Sequence, residues 1–436
     1  MSEWKKIVVL VLVHSGLMAA GSAGAETQLN FSGFGTLATT HSNSRMADYR
    51  GSIMQPNGAG ISSPWAFGVD TKAGAQVLAN WGGGWSGAAQ VVADHRYDNS
   101  YKPQFEWANL KYQFSSNWYA RAGRVVAPVF MVSDYRNVGY AQTAVRQPYD
   151  VYEMNPLTHI DGGDVGAQYD VAGGVLSAQL TVGKIKDYAA ITTPEFRASD
   201  NFAYISGPVK LFNVAYERNG ATYRAGYGKY RFGVSSNIAA FNMYDVGLKA
   251  YQTAVSDYDS NLKLQRADYS MWTFGYAYDA GAWLVQTEYA KNSERNLLVP
   301  GQAAWYLLGG YRLGKFTPYA SFSKIVAKPQ SLQRPDATRC GTVPGCAFGT
   351  LVMTTVDNGV AVAREQSTIA IGARYDFYRN LAFKAQFEHV YKPAMNGPNR
   401  GLFVNEYRDL SVSPKSTFLT QSHSVNLLTL ALDFVF

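Results

Sequence analysis

Residues 422–436 read SHSVNLLTLALDFVF, and from Asn426 onward the stretch alternates strictly. One face carries Asn426, Leu428, Leu430, Leu432, Phe434 and Phe436; the other carries Leu427, Thr429, Ala431, Asp433 and Val435. A period of two is that of a β-strand, whose successive side chains point to opposite sides of the sheet. Here one side is greasy and the other mixed and small. The chain ends on a phenylalanine flush with the strand, where the last residues of a soluble domain are commonly polar and frayed. A strand with lipid on one side and a wet interior on the other has this composition.

The opposite end points the same way. Residues 1–25, MSEWKKIVVLVLVHSGLMAAGSAGA, combine basic Lys5 and Lys6, an apolar run from Ile7 to Val13 and a small-residue site at Ala23-Gly24-Ala25. These are the three parts of a secretory signal, and the apolar run is too short to span a bilayer. Cleavage after Ala25 is expected, leaving 26–436 as a single domain. Losing Lys5, Lys6 and Glu3 takes the formal charge from +7 to +6. That excess is spread along the chain with no basic run, so nothing calls for nucleic acid.

The 436 residues hold 30 Tyr, 22 Phe, 9 Trp and 41 Gly, yet no segment beyond the signal reaches eighteen consecutive apolar residues, which excludes a helical membrane protein. A membrane β-barrel disperses its hydrophobicity in this way. Cys340 and Cys346 sit in a polar stretch and are expected to pair in an exported protein; a metal pair is the weaker reading because no His neighbours them. No metal or cofactor site is read from the sequence.

Alternating runs recur along the chain: 28–39, 69–80, 85–94, 105–114, 118–124, 163–169, 175–184, 209–218, 221–231, 268–278, 282–292, 304–313, 317–327, 367–377, 381–391 and the terminal run. Connections after even-numbered runs are tight, among them Trp81-Gly82-Gly83-Gly84 and Asn219-Gly220, the latter a strong two-residue hairpin signal. Connections after odd-numbered runs are long. Residues 232–267 are read as one such connection, with a further hairpin near 241–251 as an alternative, and Pro194 and Pro208 are assigned to a loop. Sorting of loop length by parity is a property of outer-membrane barrels, so we expect a transmembrane antiparallel β-barrel of about sixteen strands. Aromatics such as Trp118, Tyr119, Trp272, Trp283, Trp305 and Tyr375 lie near strand ends, where interfacial girdles would be.

The chain resembles the Gram-negative general porin superfamily. The resemblance rests on the signal-like start, QLNFSGFGTL in the first strand, YARAGR closing the fifth before a long third loop, GAQYDVAGGVLSAQLTVG after that loop, and the terminal LDFVF. Its third loop lacks the acidic PEFGG-type signature common in the family. The resemblance implies a homotrimer in the outer membrane among lipid and lipopolysaccharide, a third loop folded into the pore, and passive diffusion of small hydrophilic solutes.

A barrel of this size leaves a lumen that something must narrow. The candidate is the segment 125–160, too apolar to float in water, with Asp134, Arg136, Arg146, Asp150 and Glu153 as candidate constriction charges. Alternation places Lys111, Arg121, Arg224, Arg312, Arg374 and Lys384 on inner faces, because a charge facing lipid costs about 2–4 kcal/mol. Basic rings favour anions in a narrow passage, giving an expectation of weak anion preference, with Asp376, Glu288 and Glu388 as candidate partners. A channel selective for organic acids or phosphate-like anions and an adhesion barrel without an open pore are the alternatives. A barrel enzyme is disfavoured, since the few histidines show no Ser/Asp setting.

Overall fold

Hydrocarbon offers a backbone no hydrogen-bond partners, so a sheet that crosses it must close on itself. The computed structural model describes residues 27–191, 201–258, 267–293, 301–327, 335–360, 364–395, 399–404 and 417–436; the expected signal lies outside them. Among these residues sixteen long antiparallel strands form one closed barrel. In chain order they are β1 (Gln28–Ser42), β2 (Lys72–Gly82), β3 (Trp85–Asp94), β4 (Gln104–Gln113), β5 (Trp118–Val126), β6 (His159–Val171), β7 (Gly174–Ala190) and β8 (Phe202–Arg218). Then come β9 (Ala221–Ser236), β10 (Ala267–Ala280), β11 (Trp283–Ser293), β12 (Gln302–Tyr311), β13 (Phe316–Ala327), β14 (Gln366–Tyr378), β15 (Leu381–Lys392) and β16 (His423–Val435). Each pairs with its sequence neighbours, and closure comes from β1, which pairs with β2 from Gln28↔Asn80 and with β16 from Phe34↔Val435 to Ser42↔Leu427. No described helix is long and apolar enough to cross a membrane.

The tight turns need backbone that ordinary residues avoid. Asn219 and Gly220 both have positive φ, 52° and 81°, as a two-residue turn matched to the twist of its strands requires. The alternation of β16 holds in three dimensions: Leu427, Thr429, Ala431 and Asp433 are buried inside, while Leu428 and Phe436 are exposed outside. Around the barrel the exposed outer face carries Phe31, Leu37, Leu110, Leu180, Phe212, Leu307, Ile369 and Ile371, the apolar band expected of lipid contact. Exposed tryptophans and tyrosines lie toward the strand ends. Trp85, Trp118, Trp283, Tyr311 and Tyr375 lie beside the tight turns, and Trp272, Tyr289, Trp305 and Tyr391 lie toward the other strand ends. Tyr119 points inward, as its alternation with Trp118 implies, and so does not belong to the girdle of strand-end aromatics; the Lys111 ammonium lies 4.6 Å from its ring centroid.

Three expectations about the long connections change. Residues 241–251 form neither hairpin nor loop; they lie in helix α1 (Ala239–Ala254), whose buried Phe241, Tyr244, Leu248 and Tyr251 recur at helical spacing. A second helix, α2 (Cys346–Val360), follows the Cys340–Cys346 disulfide in the loop before β14. Pro208 is inside β8. The ladder from β8 to β9 skips from Ser206↔Gly233 to Val209↔Tyr230, so the irregular site spares the proline a donor it lacks.

The two helices touch through glycines. A Cβ built on Gly349 would sit 2.5 Å from the Gly247 carbonyl oxygen, and one on Gly247 would sit 3.0 Å from the Gly349 Cα. A side chain at either position must push the helices apart. Gly349→Val is therefore expected to loosen the α1–α2 pair by about 1–3 kcal/mol. Limited proteolysis should cleave the loop of α1 faster in the variant, with the barrel still migrating as a folded species on unheated gels.

Candidate functional site

The inner wall is polar, and a buried polar group must find a partner. The segment between β5 and β6 supplies many of them. Arg224 of β9 donates to the carbonyls of Pro128 and Phe130, and Thr273 of β10 to that of Val129 (3.1 Å). Glu288 of β11 accepts from the Met131 amide (2.9 Å) and the Tyr152 hydroxyl. Arg374 of β14 donates to the carbonyls of Tyr140 and Gln142 at 2.6 and 2.7 Å, and Lys384 of β15 to those of Gly139 and Ala144, both at 2.9 Å. Backbone thus satisfies the wall, and the wall satisfies backbone that no sheet pairs.

The strongest anchor is Arg146. Its guanidinium donates to Asp70, Glu388 of β15, Thr40 of β1 and Thr429 of β16. The Tyr49 and Tyr149 rings flank it at 5.6 Å. Arg146, Asp70 and Glu388 are all buried. Arg136 pairs with Glu153 at 2.9 Å, and Glu153 also accepts from the Ile53 amide (2.7 Å) and Ser52 hydroxyl (3.0 Å), tying in the loop after β1. Asp150 lies against the wall with one oxygen bonded by Ser323 of β13.

The placement of the candidate residues differs from the simple picture of charges lining a channel. Arg374 and Lys384 are inward but 1 % and 0 % exposed. Their heads are held by loop carbonyls, and by Asp376 (2.8 Å) and Asp433 (2.7 Å) respectively. Arg224 is likewise spent on carbonyls. Arg312 pairs with Asp279 beside a tight turn, and Arg121 with Asp164 at 2.9 Å. Asp150 is buried, so it does not face open space. Asp134 stands in a short turn of helix, Ser133–Tyr135, and is half-buried. The basic side chains on which an anion preference rested are, apart from Lys111, already engaged.

The interior is also lopsided. Phe130, Tyr152 and Leu157 of the segment belong to one buried apolar cluster with Leu211, Tyr230, Tyr269, Met271 and Tyr306 of β8–β12 and with Phe241, Leu248 and Met353 of the two helices. That side is packed like a protein core. On the other side lies a cavity of about 150 Å³, between the segment, the loop after β1 and strands β2–β4, β6 and β7. Lys72, Asp94, Arg96, Glu106, His159 and Asp187 line it together with Arg136 and Arg146.

Of these, sequence reasoning had selected only Arg136 and Arg146. Lys72 and Asp94, which stand opposite each other in the β2–β3 register, are inner-face positions that alternation could have supplied. Glu106 is different. The β3–β4 register jumps from Gln90↔Trp107 to Val91↔Phe105. This bulge turns Glu106 to the same side as Trp107, where unbroken alternation would send it to lipid.

A scan of protein-family models finds no match to this sequence, and a search of curated proteins finds none either. Solved structures do match in fold. OmpF of Salmonella typhi, in a complex with daunomycin, superposes with TM-score 0.51 at 13% identity over 94% of this chain and 97% of its own. The anion-selective porin of Comamonas acidovorans gives 0.51 at 10% identity, over 94% of this chain and 100% of its own. The outer membrane channel DcaP of Acinetobacter baumannii gives 0.51 at 9% identity, over 96% and 100%.

Two predictions test the anchoring. Arg146→Ala leaves Asp70 and Glu388 buried without their shared cation and is expected to cost about 3–5 kcal/mol, read as earlier unfolding on heating in detergent. Burial pushes the Asp150 carboxyl up to about 6. Because that lies above its unfolded value, the folded chain holds more protons between roughly pH 4 and 6. Stability therefore falls as pH rises through that window, by on the order of 3 kcal/mol in full. Asp150→Asn should unfold at a higher temperature than the parent at pH 7.5, with the gap closing by pH 4. In fold, this chain is similar to these solved outer-membrane porins and channels: a closed antiparallel β-barrel of sixteen long strands among the described residues.

Proposed function

We propose that this protein is an outer-membrane channel for passive diffusion of small hydrophilic solutes, with the segment between β5 and β6 as its constriction. The observation that carries this reading is the cavity beside that segment, lined by acidic and basic side chains within a barrel whose outside is apolar. A lumen of polar and charged groups under an apolar exterior can hold water and serve transfer of water-soluble molecules. The reading assigns no chemistry to the chain. It includes lipid and lipopolysaccharide around the barrel and a homotrimer, as the resemblance to porins implies.

A second reading, a channel selective among solutes, is supported by the packed cluster that fills the β8–β12 side and confines passage to one flank. Asp70 and Glu388 offset Arg146, and Glu153 offsets Arg136, so the charges at the cavity give no reason to carry over the anion selectivity of the Comamonas protein.

Purified protein in planar bilayers is expected to give stepwise conductance, and liposomes carrying it should swell in small sugars and amino acids. Lys72→Cys should lose at least half its conductance on modification with a bulky thiol reagent, while the parent, whose cysteines are paired, is unaffected. A barrel that folds but never conducts would instead support an adhesive or structural role. Its mass in detergent tests the trimer.

A further inference from the structure

Three carboxylates converge on the cavity from separate strands: Asp94 of β3, Glu106 of β4 and Asp187 of β7. His159, the first residue of β6, stands among them with Nδ1 3.7 Å from a Glu106 oxygen. The charged groups around His159 are Glu106 from β4, Arg124 from β5 and Asp187 from β7. Arg124 is bound to Asp161 of β6 at 2.7 Å. From the loops, Arg96 lies 3.9 Å from Asp94, and Arg136 is held by Glu153.

The balance of these groups depends on one proton. The pairs Arg146–Asp70 and Arg136–Glu153 are internally offset; Glu388, which also bonds Arg146, is not among the residues that line the cavity. Among the described residues lining the cavity this leaves Lys72 and Arg96 against Asp94, Glu106 and Asp187. With these five groups ionised, the remainder carries one net negative charge while His159 is neutral and none once it is protonated. In a narrow passage with low-dielectric walls, such a difference changes which small ion enters. Histidine is the side chain whose charge ordinarily changes in this pH range.

We propose that Asp94, Glu106 and Asp187 give the channel a preference for small cations at neutral pH, and that His159 reduces that preference as it gains a proton. The inference rests on the channel reading above and names the selectivity of the same passage. Glu106 reaches the passage only through the bulge in β4, so the local break in alternation is what brings it into range of His159.

The test is the reversal potential of single channels in a potassium chloride gradient, between pH 7.5 and 5.5. The parent should favour potassium over chloride at pH 7.5, and the permeability ratio should fall at least twofold by pH 5.5. His159→Gln should keep the cation preference and lose most of the pH step. Glu106→Gln and Asp187→Asn should each lower the ratio at pH 7.5. The parent titration needs no variant, and migration on unheated gels shows whether each variant has folded. A chloride preference at pH 7.5, or a His159→Gln channel that titrates like the parent, overturns this inference while leaving the channel in place. Absence of any conductance overturns both.

Discussion

The constraint from which the rest follows is that every backbone donor and acceptor at membrane depth must be met by the protein itself. β1 meets it by pairing on both edges, with β2 over its first part and with β16 over its second. At the seam, Gly33 and Phe436 exchange backbone bonds of 2.9 and 3.0 Å. Without that seam the sheet would present two open edges to lipid, each unsatisfied group costing several kcal/mol. Closure divides the side chains into two sets with opposite solvents. The outer set becomes apolar and aromatic, and the inner set is free to be polar.

A polar interior then raises its own demand. Cations such as Arg374 and Lys384, fully enclosed, need acceptors, and the carbonyls of a segment lacking sheet partners need donors. The two needs are met by each other, which explains how a long connection can lie against the wall without regular structure of its own. Arg146 extends the principle with charge. It links the segment to the barrel seam through Thr40 and Thr429 and to the loop after β1 through Asp70. A buried ion pair of this kind is a weak source of net stability, but leaving either partner unpaired is costly, which holds the segment to this placement. Here it sets where the segment lies and so where the open flank remains.

The interior is consequently two environments in one barrel. On the β8–β12 side, large side chains from wall, segment and helices pack together, and the close approach of Gly247 and Gly349 lets α1 and α2 act as a unit. On the β2–β4 side, charges of both signs face a cavity. The first is packed apolar side chains; the second is a cavity walled by ionisable ones. On the channel reading proposed above, passage is governed by a few side chains on one wall rather than by a ring around the axis.

The number of strands, their faces and the alternation of tight and long connections were all legible in the sequence, because each depends on local periodicity and on turn residues such as Asn219-Gly220. β16 alone carried the pattern of the whole barrel. The helical spacing of Phe241, Tyr244, Leu248 and Tyr251 is equally local and marks α1, where the expectation is a loop or a hairpin. What the tertiary structure decided was which charged groups are already bound. Arg146 meets Glu388 across 242 positions of sequence, and Lys384 meets Gly139 across 245. No local rule pairs residues so far apart, and a cation that lines a channel and one that pins a loop look the same along the chain. The bulge that turns Glu106 inward belongs to the same class, since a register jump depends on how two strands settle against each other rather than on either one alone.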